Sequence, residues 1–157
     1  MATLSMDEAF TSALSSFPNV DVLKPEQKEC IAELLSKKDV LGLLPTGFGK
    51  SLIYQLFPRV HAFVNDGDKK CHVLVVSALK AITEEQVLEL NEFGISAASI
   101  GDNRKTDNEI LQGKFEVVFG SAEMWLRKEW TTKLKSSALQ ENVELLVVDE
   151  AHVSQSW

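Results

Sequence analysis

The chain has 157 residues, 45% of them hydrophobic and 25% charged, which suits one soluble globular domain with a full core. A net charge of −7 leaves no global basic field, which argues against a high-affinity DNA-binding domain but not against a local contact strip. No apolar run approaches the roughly 18–20 residues that span a bilayer, and the first ten residues are no signal peptide, so no membrane anchor is expected.

Phe10, Ala13, Leu14 and Phe17 fall at helical spacing, and Pro18 ends that stripe. Lys24-Pro25-Glu26-Gln27 opens a second helix, with Pro in its first turn and Ile31, Leu34 and Leu35 on its buried face. Gln27 on its own reads as a surface glutamine. Cys30 and Cys71 are widely spaced, without a zinc pattern, and read as reduced core or near-core thiols of a cytosolic or nuclear protein. Val40 to Leu44 is a buried-strand run, and a helix from Ser51 reaches at least Leu56, where Pro58 bends it or begins a new segment.

After a polar turn at residues 65–70, Val73 to Val76 forms a strand ending at Ser77. Thr83 is placed to cap a helix with Val87, Leu88 and Leu90 apolar and Gly94 as its stop. Ser96 to Ile100 is a shorter strand, Gly101 to Thr106 a polar loop, and a short helix then reaches Gly113. Phe115 to Phe119 is a further strand, and Gly120-Ser121-Ala122-Glu123 opens a helix with Met124, Trp125 and Leu126 inside or at an edge. The last strand is Val143 to Val148. Short strands alternating with helices predict an α/β fold: a doubly wound parallel sheet with helices on both faces and ligands gathered at the carboxyl ends of the strands.

Two stretches carry chemistry. Leu44 to Ser51 reads LPTGFGKS between the strand and the helix. Gly47 and Gly49 free the backbone to turn successive N–H groups toward one anion, Lys50 would reach the β- and γ-phosphates, and the Ser51 hydroxyl would take a position on Mg²⁺. The strict phosphate-loop pattern has Gly where Leu44 stands, so an ordinary strand-to-helix turn stays open on these residues alone. The second stretch is Asp149-Glu150-Ala151-His152, an acidic pair closing a strand, where a nucleotide site of a parallel sheet needs its Mg²⁺-holding carboxylate.

Together these residues resemble the first RecA-like lobe of RecQ-type DNA helicases, over about Phe17 to Trp157. LPTGFGKSLIYQ is similar to that family's phosphate loop, in which an apolar residue commonly replaces the first Gly. DEAH at Asp149 to His152 is similar to its second ATPase motif, and the stretch Phe17 to Gln27, with LKPEQ, to its adenine-recognising segment. Residues 75–79 and 120–123 are similar to two DNA-facing motifs.

The resemblance implies a P-loop NTPase using ATP and Mg²⁺. It places Lys24 and Gln27 at the adenine, and Thr46, Gly47, Phe48, Gly49, Lys50 and Ser51 at the phosphates. Asp149 would hold Mg²⁺ with Ser51, Glu150 would be the general base, and His152 would couple the ATP site to DNA or to the other lobe. Ser77, Ser121 and Trp157 would face DNA. Ala78 and Ala122 stand where the family usually has Pro, and Gln155-Ser156 inverts its polar pair, which implies looser DNA-facing loops and altered coupling.

The expected unit is a single helicase ATP-binding domain over 1–157 that stops after DEAH, without the second lobe, in a nuclear or cytoplasmic protein. Such a lobe would bind ATP, and DNA weakly, without unwinding alone. Two other readings stay open at this point: an RNA helicase lobe, and a non-catalytic nucleotide-binding or interaction module.

Overall fold

Apolar stripes and runs fold as helices and parallel strands in a computed structural model that describes residues 6–18, 20, 22–37, 50–65, 71–77, 80–135, 138–141 and 143–149. The chain divides into two units, Met1–Lys70 and Cys71–Trp157. In the first, α1 (Met6–Leu14) buries Ala9, Phe10 and Ala13. Phe17, the last member of the stripe, is buried beyond the helix, which closes through Ser15 and Ser16 N–H groups on the Ser12 and Ala13 carbonyls. α2 (Pro25–Leu35) begins at its proline, with Ile31 fully buried and Leu34 and Leu35 half-buried.

α3 (Lys50–Val64) runs through Pro58, where a bend or a new segment was expected. A proline inside a helix costs about 3 kcal/mol. Leu56, Phe57 and Val60 flank it at 1% exposure or less, and burial of such side chains contributes about 1.5–3 kcal/mol apiece, so packing overrides the break. Both α1 and α2 pack on α3.

In the second unit, β1 (His72–Ser77), β2 (Ala97–Ser99), β3 (Val117–Gly120) and β4 (Val143–Asp149) form a parallel sheet in the order β2-β3-β1-β4. The strands alternate with α4 (Lys80–Glu92), α5 (Arg104–Leu111), α6 (Ala122–Trp125), α7 (Lys128–Lys135) and α8 (Ala138–Glu141). This is the α/β, RecA-like arrangement expected. Leu74, Ala98 and Val118 share one core with Ile110 of α5, Trp125 of α6, Trp130 of α7 and Leu139 of α8. Val73, Val75, Val117 and Phe119 alternate with them and are fully buried. Burial on both faces explains why β1 and β3 read as unbroken apolar runs. β4 departs from that pattern: Leu145 is buried, but Leu146 and Val148 are more than half exposed, although they pair with Leu74 and Val76. The apolar run 145–148 overstated the burial of this strand.

Thr83 does not cap α4. The helix starts at Lys80, and Thr83 lies inside it, buried. Gly94 is the stop, at φ +82°, a conformation open to glycine. The Ile95 N–H donates to the Leu90 carbonyl at 2.9 Å and the Gly94 N–H to Asn91 at 3.2 Å, a Schellman closure. α5 begins at Arg104, inside the expected loop, because the Asn103 side chain accepts from the Thr106 N–H at 2.8 Å.

The free side of β2 is closed by a side chain. Asn91 donates to the Ala97 carbonyl at 3.1 Å and accepts from the Ala97 N–H at 3.0 Å, as a neighbouring strand would. Asn91→Ala is therefore expected to cost about 1–2 kcal/mol, two hydrogen bonds with water partly replacing them. A urea midpoint lowered accordingly at constant slope checks it; an unchanged midpoint would show that the pairing adds nothing.

Candidate functional site

Gln27 is 3% exposed, which overturns its reading as a surface residue. Its Oε1 accepts from the Lys24 N–H at 2.9 Å, so the N3 side chain of α2 reaches back to the N-cap. A lysine ammonium holds no acceptor to return that bond. With Oε1 held at the cap, the carboxamide has one orientation, its NH₂ group directed away from the Lys24 N–H. Cys30, one turn further along α2, is a free thiol whose pKa is raised by burial first and by Glu29 second, so it stays protonated near neutrality and is a poor nucleophile.

Thr46, Gly47, Phe48 and Gly49 lie outside the described residues. Lys50 opens α3 and is described by its backbone, while Ser51 in the same turn is half-buried. The first turn of a helix leaves N–H groups without intrahelical partners at its positive end. α1 and α2 carry Asp7, Glu8 and Glu26 in their first turns; α3 carries no acid there, so nothing of its own opposes an anion at that end.

In the second unit, sheet register brings three strand ends together. Ser77, buried, stands opposite Asp149, and Val76 stands opposite Gly120. Neighbouring strands lie about 4.8 Å apart, so Ser77, Gly120 and the Asp149 backbone share the carboxyl edge of the sheet. Glu150, His152 and Trp157 lie outside the described residues, as does Ala78. Ser121, exposed, is the N-cap of α6, its Oγ accepting from the Met124 N–H at 3.1 Å. The hydroxyl proton remains free to donate outward.

Trp125 was read only as an apolar side chain inside or at an edge. It is buried, and its indole N–H donates to the Val75 carbonyl at 3.2 Å. The usable signal was chemical: a buried tryptophan usually finds an acceptor for its N–H. Leu126, expected beside it in the same place, is 77% exposed. Among the described residues no three His, Cys, Asp or Glu side chains converge on a metal position. Mg²⁺ at phosphate sites usually takes only one or two protein ligands, so this donor set is compatible with Mg²⁺ held on a nucleotide. Among the same residues no helix is long and apolar enough to cross a membrane.

The DEAD/DEAH box helicase family matches residues 24–157. The chain is 32% identical over 161 residues to a putative ATP-dependent DNA helicase Q1 of Caenorhabditis briggsae, covering 96% of this chain and 24% of that protein. It is 34% identical over 139 residues to a probable ATP-dependent DNA helicase RecS of Bacillus subtilis (strain 168), covering 85% of this chain and 26% of that one. Thus it spans about a quarter of the length of these relatives. Among solved structures it resembles the DUF1998 helicase MrfA, crystallised bound to DNA and AMPPNP, with a TM-score of 0.70 and 26% identity over 94% of this chain and 21% of that one. The relatives it matches are ATP-dependent DNA helicases, and the chain itself belongs to the DEAD/DEAH box helicases.

Proposed function

We propose that this chain is the ATP-binding lobe of an ATP-dependent 3′–5′ DNA helicase, and that alone it holds Mg·ATP without unwinding DNA. The observation that carries the reading is Gln27: a polar side chain at 3% exposure, its carboxamide set by the Lys24 N–H, at the start of α2. A carboxamide can both donate to an adenine ring nitrogen and accept from the exocyclic amine, the pair of bonds that this assignment asks of Gln27 when adenine is bound.

Lys50 holds the β- and γ-phosphates beside the first-turn N–H groups of α3, and Thr46, Gly47, Phe48 and Gly49 are assigned to the same phosphates. Ser51 and Asp149 would hold Mg²⁺, which when bound would supply positive charge to offset that of the phosphates. Glu150 orients the attacking water and takes its proton, and His152 links the site to DNA contacts. Ser77, Ser121 and Trp157 meet the DNA backbone. A single lobe has no closing cleft and no arginine reaching the γ-phosphate from a partner lobe, a group worth roughly 10³–10⁵ in rate in related systems.

Displacement of a fluorescent Mg·ATP analogue by ATP and by GTP tests the adenine assignment. The wild-type chain is expected to favour ATP by about 10-fold or more, the difference of one or two hydrogen bonds worth roughly 0.5–1.5 kcal/mol each. Gln27→Ala should bring the two nucleotides within about twofold. Because the ratio is read within each variant, loss of the cap at Lys24 does not enter it. Equal displacement by ATP and GTP in the wild type would contradict the assignment, and strand displacement on a tailed duplex by this chain alone would contradict the single-lobe limit.

A further inference from the structure

In the sequence neither serine assigned to DNA is followed by a proline: Ser77 is followed by Ala78, and Ser121 by Ala122. Their backbone angles are therefore not restricted covalently. Beside the β1–β3 ladder, a side chain also joins their strands. Trp125, at the end of α6, reaches back over β3 and donates its indole N–H to the carbonyl of Val75, two residues before Ser77. That path is open only because β3 ends in Gly120. A Cβ there would lie 2.7 Å from the indole Nε1 and 2.7 Å from Ile100 Cγ1. Behind it, Trp130 meets the indole edge-on, with centroids 5.9 Å apart and an interplanar angle of 70°, which restricts its rotamer.

We infer that Trp125 is a positioning residue for DNA contact, tying the β3–α6 turn to the end of β1 so that the Ser77 and Ser121 hydroxyls meet a single-stranded backbone at a set spacing. This rests on the DNA-facing reading of those serines. Both hydroxyls sit at the ends of adjoining strands, and the Ser121 Oγ is already fixed by capping Met124. The indole bond removes the freedom left between them, the movement of α6 along the end of β1. Its expected effect is on DNA affinity, because the hydrogen bond joins Trp125 to Val75 and neither is a residue assigned to the nucleotide.

The experiment compares wild-type chain with Trp125→Phe, which keeps a ring and loses the donor, and Gly120→Ala, which crowds the indole without altering it. Anisotropy of labelled oligo-dT is measured at low salt, where phosphate contacts are strongest. In parallel, Kd for a fluorescent Mg·ATP analogue and the urea midpoint are measured for each. The expected result is a rise of about 3- to 10-fold in the oligo-dT Kd of both variants, the worth of one buried hydrogen bond, with the nucleotide Kd within twofold and both variants folded. In ¹H–¹⁵N spectra of the wild type, the Trp125 indole N–H should exchange slowly and shift as oligo-dT is added. Unchanged oligo-dT affinity in Trp125→Phe overturns the inference while leaving the DNA-facing reading intact. Parallel loss of DNA affinity, nucleotide affinity and stability shows a role in the fold alone and overturns it too. Failure of the wild type to bind oligo-dT overturns the DNA-facing reading, and this inference with it.

Discussion

Lys50→Ala will weaken binding of a Mg·ATP analogue by about 10- to 100-fold and leave the far-ultraviolet circular dichroism spectrum unchanged. The magnitude is that of a charge-assisted hydrogen bond to phosphate, roughly 1.5–3 kcal/mol. The spectrum should hold because Lys50 stands at the first position of α3, where alanine is at least as good a helix former. Lys50→Arg separates charge from shape: a guanidinium keeps the charge but presents a wider planar fork, so partial recovery is expected. Affinity unchanged in Lys50→Ala would remove this lysine from the phosphate site.

The largest expected stability effect belongs to Phe119→Ala, about 3–5 kcal/mol. Phe119 is fully buried on β3, paired in register with Val75 on one side and Ser99 on the other, and its carbonyl accepts from the Ile100 N–H at 2.9 Å. Removing the ring leaves a cavity in a sheet element that can collapse little. Against a total of roughly 5–15 kcal/mol for a domain this size, the loss is about a fifth or more. Urea unfolding reads it directly. Leu126→Ala, at a site 77% exposed, is the control and should stay within about 0.5 kcal/mol. Equal effects of the two substitutions would contradict the assignment of this core.

The strands were legible because a parallel sheet buried on both faces writes itself as short apolar runs, and β1 and β3 were found within two residues of their ends. The same rule failed on β4, where Leu146 and Val148 are as apolar as their neighbours but exposed; composition does not tell which apolar strand residues are covered. A helix start was misread where a capping residue type sat inside the helix, as Thr83 does, and of the two readings open at Pro58, a bend or a new segment, the second is excluded because one helix runs through it. α7 and α8 had no expectation at all: α7 buries little besides Trp130, too weak a stripe to read.

For the site, spacing indicated which residues belong to a nucleotide motif, but the state of each is tertiary. Gln27 read as a surface residue by type and is buried by its place at the start of α2. Trp125 read as bulk apolar matter, because its use as a donor depends on a carbonyl fifty residues away and on the missing Cβ of Gly120. Ser77 and Asp149 lie more than seventy residues apart in sequence, and only the register of β1 with β4 makes them neighbours.

The most direct test of the central claim is a calorimetric titration of the purified chain with ATP in the presence of Mg²⁺, on material shown to be folded by circular dichroism. One saturable site per chain, abolished by chelating Mg²⁺ or shifted beyond the accessible range by Lys50→Ala, is the predicted result. A folded chain that takes up no heat from Mg·ATP at millimolar concentration would contradict it, leaving a helicase lobe that keeps the fold and has lost the nucleotide.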